Sequence, residues 1–294
     1  MFPPKRRVKL AVALPGSFLS EAHHLRDKTY KAGIVGRACA IFRVDEVIVY
    51  LDRPEVKEDA RLLVELLEYM NSPQYLRKML YPLKPTLRYA GVLPPLRTPN
   101  HPLESKVSKL PSSSFREGVV VKSVNDGSLV EVGLDELVKI KGVKLSPGNR
   151  VIVRLVKVRD GVEAYLSNLH EVDYYFGFKV RLELGGLKSI AKLRRSFFIL
   201  ATSRLGSPLK GKVLEALKSA LVDRPMLVVF GSPKEGLMQM AEREGLKLNN
   251  IADLIVNFIP HQGVETVRTE EALMATLSII NWLAWSAEEA PYIN

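Results

Sequence analysis

"VVFGSPKEGL" occupies Val228–Leu237 and joins a short apolar run to a turn of small and charged residues. Valine and phenylalanine favour a buried strand, and the glycine, serine and proline that follow end the strand in a turn. In open α/β sheets, ligands bind just beyond the carboxyl ends of the strands, where such turns begin. This stretch therefore predicts a binding loop at the edge of a buried sheet.

Two further apolar runs end in similar loops. "ATSRLGSP" (201–208) follows Leu200, and "PHQGVETVRTEE" (260–271) follows Ile259. Glycine in each loop lets the backbone approach a ligand closely, and proline fixes the turn. We expect the three loops to form one pocket, although plain chain reversal is the alternative for any one of them alone.

The pattern of elements predicts an α/β protein that is interrupted by a second domain. Alternating strands and helices predict a parallel sheet, with strands at 8–14, 46–52, 197–203, 226–231 and 254–259 and helices at 25–42, 57–70, 209–221 and 269–287. After a proline-rich connector, short β-runs at 118–124, 128–133, 150–158 and 163–168 predict a small antiparallel, OB-like barrel. We therefore expect a discontinuous α/β domain at 1–84 and 171–294 and an inserted barrel domain at 85–170.

The charge balance favours a polyanionic partner. Lys and Arg number 43 against 32 Asp and Glu, which gives a net charge of +11. Such an excess favours nucleic acid through neutralisation of phosphates, whereas a solvated basic surface is the alternative. Between Lys84 and Asp160 the balance is fourteen basic to seven acidic residues, which predicts that the insert contacts nucleic acid. The expected RNA-binding residues are Arg150, Arg154, Lys157, Lys192, Arg194 and Arg195, and a rigid spacer is the other interpretation of the insert.

Several other classes of protein are disfavoured. The single cysteine, Cys39, excludes an internal disulfide, and the longest apolar run, 273–287, is too short to span a bilayer. We therefore expect a cytoplasmic protein without membrane segments. The five histidines show no ligand spacing, so no metal site is expected. "GSPLKGKV" (206–213) is close to a P-loop, but Val213 replaces the hydroxyl residue that binds magnesium.

Three segments carry a resemblance to a known family. "KTYKAGIVGRACAIFRVDEVIVY" (28–50), "VVFGSPKEGL" (228–237) and "FIPHQGVETVRTEEALMATLSIIN" (258–281) resemble, in order, the three motifs of the SPOUT superfamily of RNA methyltransferases. The β-insert is similar to that of the archaeal and eukaryotic branch described as RNA uridine-N3 methyltransferases. The resemblance implies a trefoil knot in the C-terminal part, a homodimer, and S-adenosylmethionine bound in the knot.

The resemblance also implies functional residues. Arg37 matches an arginine that approaches the reaction centre in ribose-methylating relatives, often across the dimer interface; a surface ion pair is the alternative. Because arginine is a poor base, the expected role is to grip phosphate or to stabilise negative charge. The third motif departs from those relatives at "ETVRTEE", which leaves Glu265, Arg268 and Glu270 as candidates for orienting the acceptor base.

The expected cofactor contacts come from the three loops, and Thr269 is also expected to cap the last helix. They are Thr202, Ser203, Arg204, Gly206, Phe230, Gly231, Ser232, Gly236, Ile259, Pro260, Gln262, Gly263, Thr266, Val267 and Thr269. Methylation of a uridine in ribosomal RNA is the expected activity. A ribose 2′-O-methyltransferase and a non-catalytic RNA-binding protein remain the alternatives.

Overall fold

The computed structural model describes residues 2–287. Its strands are β1 (Leu10–Pro15), β2 (Glu46–Tyr50), β3 (Ser113–Val124), β4 (Gly127–Glu131), β5 (Val138–Lys141), β6 (Arg150–Val158), β7 (Gly161–Ser167), β8 (Lys179–Glu183), β9 (Phe198–Pro208), β10 (Met226–Val229) and β11 (Leu254–Asn257). Its α-helices are α1 (Leu25–Ile41), α2 (Lys57–Asn71), α3 (Gln74–Leu80), α4 (Gly186–Lys192), α5 (Gly211–Asp223), α6 (Leu237–Arg243), α7 (Leu248–Ile251) and α8 (Thr269–Ala287).

A six-stranded parallel sheet confirms the predicted α/β architecture. Its strand order is β11-β9-β10-β1-β2-β8, and each neighbouring pair is parallel. All six residues of β1 are buried, as an apolar run at the centre of a two-sided sheet requires. The sequence pattern did not identify β8, whose residues are mostly half-buried because it is an edge strand. The carboxyl ends of β1, β9, β10 and β11 lie along one edge of the sheet.

The loop at Thr202–Gly206 lies inside strand β9, not after it. Leu200 and Ala201 pair with β11, and pairing then resumes at Ser207 after a register shift. A Cβ atom on Gly206 would lie only 2.8 Å from the Val256 carbonyl carbon, so glycine permits this close approach of the two strands. The P-loop interpretation is wrong because residues 207–208 pair in the ladder and leave too short a loop before α5.

The insert is a closed five-stranded barrel with the order β3-β4-β5-β7-β6. Four of its strand pairs are antiparallel, as predicted, and β5 pairs with β7 in parallel through Ile140 and Ala164. Sequence analysis also missed β5, a four-residue strand "VKIK" in which buried and exposed residues alternate. Closure removes the free strand edges and encloses a small core of valines, leucines and isoleucine.

A buried arginine links the barrel to the segment before it. Arg116 is only 2% exposed, and its guanidinium donates hydrogen bonds to the carbonyls of Val132 at 3.0 Å, Gly133 at 3.1 Å and Glu104 at 2.5 Å. A buried cation needs such acceptors, because an unpaired one would lose its hydration without compensation.

The chain forms two compact units. Within the described residues, one holds 2–5, 69–85 and 95–177 and includes the barrel, whereas the other holds 6–68, 86–94 and 178–287 and includes the parallel sheet. Among residues 2–287 no helix has the length and apolar character that crossing a membrane would require. The same residues contain no group of side chains arranged to hold a metal ion.

We expect acid to destabilise the barrel-containing unit through His101. Its Nε2 lies 2.8 Å from the Asn71 carbonyl oxygen, and burial lowers the pKa of the imidazole to about 4. In the unfolded chain this imidazole would bind a proton near pH 6.5. The free energy of unfolding therefore has its full value above that pH and decreases as the pH falls to about 4, by up to about 3 kcal/mol. Urea unfolding at several pH values measures this. His101→Gln should flatten the dependence and His170→Gln should not; equal curves for wild type and His101→Gln would contradict the assignment.

Candidate active site

A cleft of about 410 Å³ opens beyond the carboxyl ends of β9, β10 and β11. Its walls come from the three loops that the sequence singled out, together with the first turns of α6 and α8. This volume lies within the range of small-molecule sites in proteins. The predicted single pocket is therefore present in the structure.

The wall formed by residues 231–236 is a turn closed by its own hydrogen bonds. The Ser232 N–H donates to the Glu235 carbonyl, and the Glu235 N–H donates to Ser232 Oγ, both at 2.9 Å. The Gly236 N–H donates to Gln239 Oε1 at 3.2 Å. Before the turn, the buried Tyr50 hydroxyl donates to the Phe230 carbonyl at 2.6 Å. The turn is thereby fixed at both ends.

Thr269 joins this turn to helix α8. Its hydroxyl donates to the Gly231 carbonyl at 3.3 Å. The expectation that Thr269 caps the helix was wrong, because α8 already begins at Thr269 and the preceding Arg268 N–H donates to Glu271 Oε2 at 2.9 Å. Thr269 is instead a residue of the cleft wall.

Asn257 connects the other two loops, and sequence analysis missed it. Its Nδ2 donates to the Arg204 carbonyl at 2.9 Å, and its Oδ1 accepts from the Ile259 N–H at 2.9 Å. Arg204 Nη1 in turn donates to the Glu265 carbonyl at 2.7 Å, and Gln262 Nε2 donates to the same carbonyl at 3.0 Å. An Asn at the end of a strand, before a proline-containing loop, was the available signal for this role.

Glu235 is the most strongly paired charge in the cleft wall. Its carboxylate lies 2.9 Å from Arg53 Nη2 and 3.1 Å from Arg243 Nη2. Partial burial alone would raise the pKa of Glu235, but the hydrogen bond from Arg53 and the charges of Arg243 and Arg53 outweigh it, so the pKa lies below its ordinary value. Glu235 therefore stays ionised and is a weak proton acceptor.

Most of the expected cofactor residues line this cleft. The lining includes Thr202, Ser203, Arg204, Phe230, Gly231, Ser232, Gly236, Ile259, Gln262, Thr266, Val267 and Thr269, together with Glu265. Gly206, Pro260, Gly263 and Arg268 lie outside the lining. Residues that the sequence did not single out also contribute, namely Leu205, Leu237, Met238, Gln239, Val256, Asn257, Phe258, Ala272 and Thr276.

Arg37 and Glu270 do not line the cleft. Arg37 is half-buried on α1, where Tyr30, Ile34 and Ile41 lie on the same helical stripe; Tyr30 and Ile41 are exposed. Glu270 is 7% exposed, and its Oε1 lies 3.7 Å from Lys31 Nζ on α1. Helix α1 packs against α8.

The expected RNA-binding residues are exposed, but most of them have partners within the chain. Arg150 Nη2 lies 2.7 Å from Glu117, Arg154 Nε donates to Ser113 Oγ, and Lys157 Nζ donates to the Leu110 carbonyl. Lys192, Arg194 and Arg195 lie at the end of α4 and the turn after it, where Arg194 Nε is 2.9 Å from Asp253.

Comparison with known proteins gives the family. A family model described as "Putative RNA methyltransferase" matches residues 9–280. The human and mouse proteins named "28S rRNA (uridine-N(3))-methyltransferase" are each 34% identical to this chain; the matches cover 94% of it and 78% and 76% of those proteins. An uncharacterized protein of Halobacterium salinarum is also 34% identical, over 91% of this chain and 96% of its own length.

These matches cover the motif segments and the insert together, which confirms the resemblance to RNA methyltransferases and their uridine-N3 branch. The chain belongs to the RNA methyltransferase family that this model describes.

Proposed function

We propose that the protein transfers a methyl group from S-adenosylmethionine to N3 of a uridine in ribosomal RNA. The observation that carries the proposal is the match, over nearly the whole chain, to relatives named for this reaction, together with a cleft built from the three motif loops. The identity of the acceptor RNA and the position of the uridine within it are part of this proposal.

The cleft suits S-adenosylmethionine in both size and chemistry. Apolar side chains such as Phe230, Leu237 and Phe258 offer a slot for the adenine ring. The hydroxyls of Ser203 and Thr266 can bind polar groups of the ligand. When bound, this cofactor supplies a methyl group on a positively charged sulfur.

Methylation at N3 requires that the uracil lose its N3 proton, and the cleft offers two carboxylates. Glu235 is held by two arginines and has a lowered pKa, so it is a weak proton acceptor. Glu265 is exposed, lines the same cleft and forms no ion pair within the described residues. We assign Glu265 the role of orienting the base and accepting the proton, with Arg268 and Arg37 contacting RNA.

The proposal includes the knot and a homodimer, both implied by the SPOUT resemblance. Trp282 and Trp285 of α8 are 59% and 50% exposed, and Tyr30 and Ile41 add exposed apolar surface on α1. Such surface supports a partner subunit on these helices.

Three measurements test these proposals. Calorimetry should detect S-adenosylmethionine binding to the purified chain, and light scattering should give the mass of a dimer. Mass spectrometry of nucleosides, from RNA of cells with and without the protein, should show a loss of 3-methyluridine. A loss of 2′-O-methylated nucleosides instead would favour ribose as the acceptor. Absence of cofactor binding would favour the non-catalytic RNA-binding alternative.

A further inference from the structure

The structure brings basic side chains together on a face of the barrel that the sequence did not indicate. In β5, Val138 and Ile140 point into the barrel core, so Lys139 and Lys141 point outward. Across the sheet, Lys139 pairs with Leu129 of β4, and Leu129 pairs with Lys122 of β3. Lys122 and Lys139 therefore lie in one row on the outside of three neighbouring strands.

Lys144 lies in the loop that follows β5, three residues after Lys141. Ser128 Oγ of β4 donates to the Val143 carbonyl at 2.8 Å and accepts from the Leu145 N–H at 2.8 Å. Val143 and Leu145 pack against the barrel core, so the side chain between them is exposed. We call Lys122, Lys139, Lys141 and Lys144 the lysine face.

The lysine face differs from the outside of β6 in how many of its basic side chains have partners within the chain. The acidic partner on the lysine face is Asp126, which lies 2.6 Å from Lys139. Within the described residues, Lys122, Lys141 and Lys144 form no ion pair. On the outside of β6, by contrast, Arg150 is paired with Glu117, Arg154 Nε donates to Ser113 Oγ, and Lys157 Nζ donates to the Leu110 carbonyl. Within the described residues, the lysine face therefore has more basic side chains without a hydrogen bond or ion pair than the outside of β6 has.

We propose that the lysine face is the surface of the insert that binds the phosphate backbone of RNA. This inference rests on the proposed function, which supplies RNA as the substrate. Lysine ammonium groups neutralise phosphates as mobile point charges, without base specificity. The exposed Tyr165 on β7 lies next to Lys141 in the β5–β7 register, but the lysines outnumber it, so binding there should be mainly electrostatic and sensitive to salt.

The test compares two charge-matched variants of the full chain. One is Lys122→Gln/Lys139→Gln/Lys141→Gln/Lys144→Gln, and the other is Arg150→Gln/Arg154→Gln/Lys157→Gln/Arg159→Gln. Fluorescence anisotropy measures binding of a labelled oligouridine of about 20 nucleotides at several salt concentrations. Melting temperatures check that both variants fold; the lysine variant loses one exposed ion pair, which contributes little.

The lysine variant should bind the probe at least tenfold more weakly. The slope of log affinity against log salt concentration should be smaller in magnitude by about 3, because each lost phosphate contact removes about 0.7. The β6 variant should keep a slope near that of wild type. Equal losses in both variants would overturn the inference, since net charge alone would explain them. Wild-type affinity in the lysine variant, or no binding of the probe by wild type, would overturn it as well; in the former case a protein partner would be the better candidate for this face.

If the proposed function were wrong, the same samples would give a different set of results. S-Adenosylmethionine affinity, measured by calorimetry on the same samples, should be unchanged in both variants because the lysine face contributes nothing to the cleft lining. A wild-type chain that binds RNA through the lysine face but binds no S-adenosylmethionine would contradict the proposed enzyme and leave the inference standing.

Discussion

Gly231→Val should lower the affinity for S-adenosylmethionine at least a hundredfold, or about 2.7 kcal/mol. A Cβ atom at this position would lie 3.0 Å from the Glu235 carbonyl oxygen, 3.2 Å from the Leu237 nitrogen and 3.3 Å from the Gly236 Cα. All three are backbone atoms of the turn that forms the cleft wall. Because backbone cannot rotate away like a flexible side chain, the larger valine must displace the turn and its hydrogen bond with Thr269.

Gly263→Val is the matched control for this prediction. A Cβ atom there meets nothing within 4 Å, and Gly263 lies outside the cleft lining although the sequence grouped it with Gly231. Calorimetry should therefore give near wild-type affinity for the Gly263 variant. If both variants bind S-adenosylmethionine as tightly as wild type, the cofactor lies elsewhere.

Arg37→Ala should lower methyl transfer at least a hundredfold while cofactor affinity and melting temperature stay unchanged. Removing one group that stabilises transition-state charge commonly costs a hundred- to a thousandfold in rate. Arg37 lies outside the cleft of its own subunit, on a stripe with exposed Tyr30 and Ile41, so we expect it to act at the cleft of a partner subunit. Arg61→Ala, at an exposed position of α2, is the control and should retain wild-type turnover.

Co-expression of two inactive variants tests whether Arg37 acts across the interface. In a mixed dimer of Arg37→Ala and Gly231→Val, the subunit with the intact cleft faces the subunit with the intact arginine. Action across the interface should restore about a quarter of wild-type turnover, since half of the dimers are mixed and each has one complete site. Unchanged turnover in Arg37→Ala would show that Arg37 has only a structural role. If the mixed dimers do not recover activity, Arg37 acts on the cleft of its own subunit.

Local sequence patterns determined the elements that carry the cleft. The apolar runs of β1, β2 and β10 are buried because they lie inside a two-sided parallel sheet, and their period and length are visible without any structure. The loops that follow the strands combine glycine, proline and polar residues, and most of their predicted residues line one cleft. Here the local signal and the tertiary arrangement agree, because ligands in such folds bind at strand ends.

Only the tertiary structure decided which distant residues meet. The ion pairs of Glu235 with Arg53 and Arg243, and the contacts of Asn257 with two loops, join positions that no sequence period relates. The place of Thr202–Gly206 inside β9 likewise depends on its register with β11, which is set by pairing between strands far apart in the chain.

In the barrel, too, the sequence determined some features and the tertiary structure decided others. Alternating residues predicted its strands and its charge, but the parallel pairing of β5 with β7 required closure of the whole sheet. The sequence favoured Arg150, Arg154 and Lys157 because they lie in one visible strand. The structure brings together Lys122, Lys139 and Lys141 from separate strands and pairs Arg150 with Glu117. A charged surface is the sum of side chains that strand pairing places side by side, so composition gave the net charge of the insert and only the fold decided where that charge lies.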